Sequence, residues 1–184
     1  MFVEVKGIQW GGNRMGRVMS TFDSLDTGRP QTDLFVAGMG GVHTFRIPSL
    51  LVAPGGSLLA FCEARKVSGR DASPTDLVLR RSTDSGRTWS AIQVVVPGLE
   101  DDAIMNPCPV VEGDSILLFC INAHKTETGR HRQLLVRSRN DGVTWSEPED
   151  ITEAVGNDTF ISGPGVGLRM RSGRLVIPGY TNLY

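Results

Sequence analysis

The feature that most limits how this chain can fold is a repeat. Residues 82–89 read STDSGRTW and residues 138–145 read SRNDGVTW, 56 positions later, with serine, an acidic or amide residue, glycine, threonine and tryptophan in one order. A period of tens of residues decides the architecture before any single site can be read. Around these copies the chain divides into similar units. The first runs FRIPSLLVAPGGSLLAFCEAR, a polar loop, then DLVLRRSTDSGRTWS; the second runs NPCPVVEGDSILLFCINAH, a loop, then QLLVRSRNDGVTWSEPEDI; the third begins SGPGVGLRMRSGRLVIPGY and stops. Pro48, Pro109 and Pro164 mark equivalent places, 61 and then 55 residues apart, so a unit is close to sixty residues long.

Each unit reads as four short strands: one containing proline, an apolar one of the LLAF type, a third ending in arginine and serine, and a fourth opening at the tryptophan. Turn residues separate the first two in every copy (Pro54-Gly55-Gly56, Glu112-Gly113-Asp114, Arg171-Ser172-Gly173), as a hairpin requires. Only DITEAVGND offers a short helical candidate, and the chain is predicted to be all-β. Four-stranded units at this period are the signature of β-propeller blades. The prolines agree, because proline cannot donate to a ladder and a blade's innermost strand has one free edge facing the channel. Two and a half blades cannot close a ring, so residues 33–184 read as the front part of a longer propeller domain. Residues 1–32, with GGNRMG and DSLDTGRPQ, read as an extension or linker, with room for one outer strand at Phe2 to Val5.

The repeated turn has a structural task for every residue. Its aspartate and serine can bond to N–H groups of the turn, its glycine can take positive φ, and its tryptophan can pack between strands. A calcium loop needs more oxygen ligands than Asp84 and Ser85 supply. The second copy has Asn140 where the first has Asp84, a change that a hydrogen-bonded turn tolerates and a catalytic carboxylate would not.

The formal charge of -1, from 19 basic and 20 acidic residues well mixed, provides no field for nucleic acid or an anionic membrane. No window forms a signal-peptide core or a transmembrane span. Cys62 and Cys120 sit at matching places after SLLAF and SILLF, in separate repeats, and with Cys108 they are expected to be buried thiols and not a disulfide framework. His43, His124 and His131 match no metal-ligand spacing, although HKTETGRH could bring two together in a hairpin. No metal and no other cofactor is expected.

Chemistry should lie in what does not repeat. Arg46 precedes the edge-strand proline in HTFRIPS, on the strand expected to line the channel. In EARKVSGRDASPTD, Glu63 and Arg65 alternate out of a buried strand into a loop holding Asp71, and charged residues there must be paired or near water. Asp76 begins the next strand and reads as structural.

These stretches resemble the non-viral sialidases (exo-α-sialidases, or neuraminidases) of bacterial and animal type. The likeness rests on HTFRIPSLLVAPGGSLLAFCEARKVSGRD, LVLRRSTDSGRTW, MNPCP and GPG…GRLVIP, in order and spacing, from about Leu34 to Tyr184. The Phe-Arg-Ile-Pro motif together with the repeated turns, the family's Asp boxes, is a strong signal; an Asp box alone is weak, since unrelated propellers carry it. The resemblance implies a six-bladed propeller that removes terminal sialic acid from glycoconjugates with retention of configuration. It implies that Arg46 is the first of three arginines holding the substrate carboxylate, a role suited to a planar guanidinium. Asp71 would be the acid/base that protonates the leaving oxygen and then activates water, its Ser-Gly-Arg surroundings giving it freedom to meet varied leaving groups. Glu63 and Arg65 would form part of the pocket floor, with Arg65 near the ring hydroxyls. Met105 and Asn106 would fall near the N-acetyl group, and Tyr180 at the rim.

Sialidases use a tyrosine nucleophile. In the family that tyrosine, its glutamate and the other two arginines come from later blades, and neither Tyr180 nor Tyr184 matches the nucleophile's place. The chain alone is therefore expected to be inactive. Two other readings compete: a non-catalytic Asp-box propeller that binds an acidic sugar through Arg46, and an interaction propeller in which Arg46 and Asp71 are incidental.

Overall fold

A computed structural model describes residues 32–71, 73–123, 131–156 and 160–181. Most of the amino-terminal extension, including Phe2 to Val5, lies outside the described residues, as does His124. The chain forms two four-stranded antiparallel sheets and part of a third unit. The first sheet runs in the order β1 (Thr44–Val52), β2 (Leu58–Arg65), β3 (Thr75–Ser82), β4 (Gln93–Val96); the second runs β5 (Ile104–Glu112), β6 (Ser115–Asn122), β7 (Arg132–Ser138), β8 (Glu149–Asp150). A single helical turn, α1 (Thr152–Val155), falls in the predicted place. In the third unit β9 (Phe160–Ser162) pairs with β12 (Gly179–Thr181), and β10 (Leu168–Arg169) with β11 (Leu175–Val176).

Alternation along β2 explains how the sheets pack. Leu59 and Phe61 face the second sheet and meet Ile116, Leu118, Leu134 and Val136. Phe61 and Trp145 stack edge to face at 5.7 Å, an arrangement aromatic pairs favour. Ala60, Cys62 and Ala64 point the other way, under Leu34, Phe35 and Phe45. Because side chains alternate with period two, Glu63 and Arg65 follow Leu59 and Phe61 onto the face between the sheets. The outer face of the second sheet, with Val110, Leu117 and Leu135, is covered by Leu175 and Ile177 of the third unit.

The first strand of each four-stranded sheet carries a bulge, and it corrects the proline alignment. On β1 the register shifts between Arg46 and Ser49, so Ile47 and Pro48 together oppose Cys62. On β5 it shifts between Met105 and Cys108, so Asn106 and Pro107 oppose Cys120. Ile47 and Asn106 take φ of 55° and 58°, and Gly163, before Pro164, takes 72°. The proline equivalent to Pro48 is therefore Pro107, and Pro109 lies in the regular ladder beyond the bulge, opposite Leu118. Each bulge inserts one residue, which a count of prolines in NPCP cannot locate.

The two repeated turns share their serine and acid-or-amide bonds, and differ at the tryptophan, whose indole donates to the Gly86 carbonyl at 3.1 Å in the first and has no acceptor among the described residues in the second. The Ser82 hydroxyl accepts the Gly86 N–H at 2.8 Å, and the Asp84 carboxylate accepts the Thr88 N–H at 2.9 Å and its hydroxyl at 2.6 Å. In the second, Ser138 accepts from Gly142 at 2.9 Å, and Asn140 accepts the Thr144 N–H at 2.9 Å while donating its amide to the Thr144 hydroxyl at 2.8 Å. The amide replaces the carboxylate by reversing one bond. The fourth strand begins after the tryptophan and not at it, because Ser90 and Ser146 hold the ends of β3 and β7 through one backbone and one hydroxyl bond each.

Candidate functional site

The β1–β2 pairing sets Arg46 opposite Glu63 and Thr44 opposite Arg65, and directly paired residues share a face of the sheet. At this end of the strands the apolar stripe of β2 gives way to charge. Glu63 and Arg65 are 0% and 1% exposed, and a pair so buried is tolerated only when its bonding capacity is filled. It is: Glu63 Oε2 accepts Arg65 Nε at 3.0 Å and Nη2 at 2.7 Å, and Oε1 accepts the Asn106 backbone N–H at 2.9 Å. Burial pushes the Glu63 carboxyl up, while the Asn106 N–H and the Arg65 guanidinium pull it back.

The remaining nitrogen of Arg65 faces the loop. Nη1 donates to the Gly69 carbonyl at 2.7 Å and pairs with Asp71 Oδ1 at 2.7 Å. Arg46 Nη1 meets the same two acceptors from the other side, at 3.4 Å and 3.3 Å. Arg46 is 37% and Asp71 75% exposed. An open guanidinium thus stands beside an open carboxylate above a buried, internally satisfied pair. Such an arrangement can bind an anion through Arg46 and move a proton through Asp71.

The Asp71 loop is tied together more than its Ser-Gly-Arg composition implies. Buried Ser73 accepts the N–H groups of Val67 and Ser68 at 3.3 Å and 3.1 Å, and the Lys66 N–H donates to the Pro74 carbonyl at 2.8 Å. Asp76 holds the base of the loop, pairing with Lys66 Nζ at 2.7 Å and accepting the Gly98 N–H at 2.7 Å, which is the structural part expected of it. Ile47, a β-branched residue in the left-handed region beside Arg46, marks local strain.

Sequence reasoning named these four charged residues, and the fold brings them together. It missed the Gly69 carbonyl, shared by both arginines, for which no side chain provides a signal. Asn106 joins the cluster through its backbone, not its amide side chain, and is buried with Met105. Met105 packs with Ala103, Ile121 and Ile161. Tyr180 is exposed on β12, opposite Ile161; among the described residues no hydrogen bond joins it to Arg46, Arg65 or Asp71.

The three thiols are buried and free. Cys62 donates to the Arg46 carbonyl at 3.0 Å, and burial pushes the Cys108 and Cys120 thiols up to about 11 and about 12. His43 is exposed beside the Thr44 hydroxyl, 2.6 Å away. Among the described residues no group of three His, Cys, Asp or Glu side chains could hold a metal ion, and no helix is long and apolar enough to cross a membrane.

Comparison with known proteins agrees with this architecture. The BNR repeat-like domain family matches residues 48–184. Human Sialidase-4 is 41% identical over 159 residues, spanning 75% of this chain and 33% of the relative. The exo-alpha-sialidase of Arthroderma benhamiae is 33% identical over 179 residues, spanning 81% of this chain and 43% of the relative. Among solved structures, the Hadza microbial sialidase Hz136 superposes with a TM-score of 0.70 at 28% identity, over 77% of this chain and 33% of that one. The chain thus spans between 33% and 43% of the length of these proteins. Its two sheets and partial third unit are blades of a sialidase-type propeller. The chain belongs to the BNR repeat-like domain family, and the members described above that it is similar to are sialidases.

Proposed function

We propose that this chain contributes the first blades of an exo-α-sialidase that hydrolyses terminal sialic acid from glycoproteins, glycolipids or oligosaccharides with retention of configuration. The observation that carries the reading is the pairing of an open arginine with an open aspartate, Arg46 and Asp71, over the buried Glu63–Arg65 pair. The identity to proteins named sialidases supports it.

In this reading Arg46 holds the substrate carboxylate as a planar fork. Asp71 gives a proton to the departing glycosidic oxygen and then takes one from the water that releases the sugar. Arg65 and Glu63 form the pocket floor, Met105 and Asn106 back the N-acetyl side, and Tyr180 stands at the rim. The nucleophile, its activating glutamate and two further arginines belong to later blades, so the 184-residue chain alone should show no turnover.

The test is hydrolysis of a fluorogenic sialoside by a polypeptide carrying this chain together with the later blades. Asp71→Ala should lower turnover by roughly 10²- to 10⁴-fold, the range of general acid–base catalysis, and Arg46→Lys should chiefly weaken substrate binding. Unchanged turnover in Asp71→Ala would remove Asp71 from the role. Tight binding of sialosides with no hydrolysis would point instead to a non-catalytic carbohydrate-binding propeller.

A further inference from the structure

Asp71 has two cationic neighbours, and it does not share itself equally between them. Its Oδ1 lies 2.7 Å from Arg65 Nη1 and 3.3 Å from Arg46 Nη1. The first is a short charge-assisted contact; the second is at the long limit of a hydrogen bond. What separates the two arginines is how each is held.

Arg65 is fixed from behind. Two of its nitrogens are taken by a single oxygen of Glu63, and the other oxygen of Glu63 is held by the Asn106 N–H from the bulge of the second sheet. A line of bonds therefore runs from one blade to the next and ends at Asp71: Asn106 to Glu63, Glu63 to Arg65, Arg65 to Asp71. Arg46 has no comparable anchor. Its Nη1 makes both of its side-chain hydrogen bonds among the described residues, to Gly69 and Asp71, and its Nε and Nη2 make none there. That leaves an edge of the guanidinium on which a carboxylate can be received by two nitrogens.

If nothing else held Asp71, its carboxylate would be the nearest anion to Arg46 and would close on it as a fork. We propose that Arg65 is the positioning residue of Asp71, holding that carboxylate away from Arg46 so that Arg46 stays open to an anionic ligand. The inference rests on reading Arg46 as an anion site, as the proposed function does, and it gives the buried pair a purpose beyond filling the pocket floor. Glu63 acts one step further back, by fixing Arg65.

Acetate, a bare carboxylate, serves as the probe, followed through the Arg46 Nε–H resonance in an NMR titration of the 184-residue chain. Asp71→Asn should tighten acetate binding by roughly two- to fivefold, the scale of an exposed ion pair. Arg65→Lys keeps the charge and loses the fork, and it should weaken binding by a similar factor. In the double variant R65K/D71N the weakening should vanish, because Arg65 acts only through Asp71. Should R65K fail to fold, E63Q and E63Q/D71N carry the same comparison, since loosening Arg65 has the same direction as replacing it. The proposal falls if the change at Arg65 or Glu63 weakens acetate equally with and without the Asp71 charge, or if D71N leaves acetate binding unchanged.

A parallel titration with free sialic acid, in a polypeptide that carries this chain together with the later blades and their two arginines, separates this from the proposed function. Acetate following the expected pattern while sialic acid leaves Arg46 unmoved would sink the sialidase reading and keep the positioning role. Sialic acid binding through Arg46 with acetate indifferent to Asp71 would do the reverse.

Discussion

Asp141, in the repeated turn of the second sheet, clasps Arg81 at the end of β3 in the first: the arginine Nε donates to the Asp141 carbonyl at 2.7 Å, and its Nη2 lies 3.6 Å from the carboxylate. The same carboxylate accepts the Gly55 N–H at 2.8 Å, from the β1–β2 turn. The repeated turn is thus a fastener between blades. Partial burial opposes the charge on Asp141, but bonds from Ser57 and Gly55 and the nearby Arg81 charge together hold its carboxyl below the ordinary range.

Removing this fastener should loosen the two sheets without touching the candidate site. Asp141→Ala is expected to cost about 1–2 kcal/mol, the scale of a part-buried charged hydrogen-bond cluster, read as a lower urea midpoint at unchanged slope. Gly55→Ala should act in the same direction, because an added Cβ would meet Asp141 Oδ2 at 2.7 Å. Acetate binding at Arg46 should be unaffected in both.

The buried pair behaves differently. Glu63→Ala removes the acceptor of Nε and Nη2 of Arg65, whose guanidinium cannot deprotonate and is 1% exposed, leaving only Nη1 bonded, to Asp71 and Gly69, and should cost about 3–5 kcal/mol as measured by thermal or denaturant unfolding. Glu63→Gln keeps an acceptor for the Asn106 N–H and should cost less. Equal loss in the two variants would mean that the charge of Glu63 is not what Arg65 needs.

The strands, the hairpin turns and the repeat were legible because each is a local pattern: alternation in SLLAFCEAR, glycine at a turn, serine and tryptophan at fixed spacing. The meeting of Arg46, Glu63, Arg65 and Asp71 was legible in part, since alternation along β2 carries Glu63 and Arg65 to one face. What sequence could not convey depends on pairing. NPCP offers two prolines, and only the register of β5 against β6 decides that Pro107 occupies the bulge. The clasp of Arg81 by Asp141 joins residues 60 positions apart through a backbone carbonyl that leaves no mark in composition. The resemblance sets Asn106 near the N-acetyl group, and nothing in its side chain announces the backbone N–H that reaches Glu63.

Two glycines with similar backbone angles separate conformational from packing cost. Gly163 has φ of 72°, and a Cβ there would meet the Asn106 carbonyl oxygen at 2.7 Å; Gly173 has φ of 85°, with only the end of Arg169 at 3.7 Å. Gly173→Ala should cost about 1 kcal/mol for the left-handed conformation alone. Gly163→Ala adds a backbone collision at the bulge that holds Glu63, and should cost clearly more, by about 2 kcal/mol or above. Comparable unfolding midpoints for the two would show that the third unit yields easily against β5.

The difference between Asp84 and Asn140 should appear in acid. Hydrogen bonds from the Thr88 hydroxyl and N–H, then from Ser82, lower the Asp84 carboxyl from 3.8 to about 2. A depressed carboxyl contributes stability above its unfolded value, and that contribution is lost as the pH falls toward the folded one. The window is therefore about pH 4 to pH 2. Asn140 makes the equivalent bonds with a group that does not titrate, so the second turn has no such window. Amide exchange at Thr88 and Thr144 provides the measurement, and their ratio cancels the acid dependence of exchange chemistry itself. Protection of Thr88 relative to Thr144 should fall between pH 4 and pH 2, and Asp84→Asn should flatten that change. A ratio that stays level in the unaltered protein would show that the Asp84 carboxylate contributes no more to its turn than the amide does.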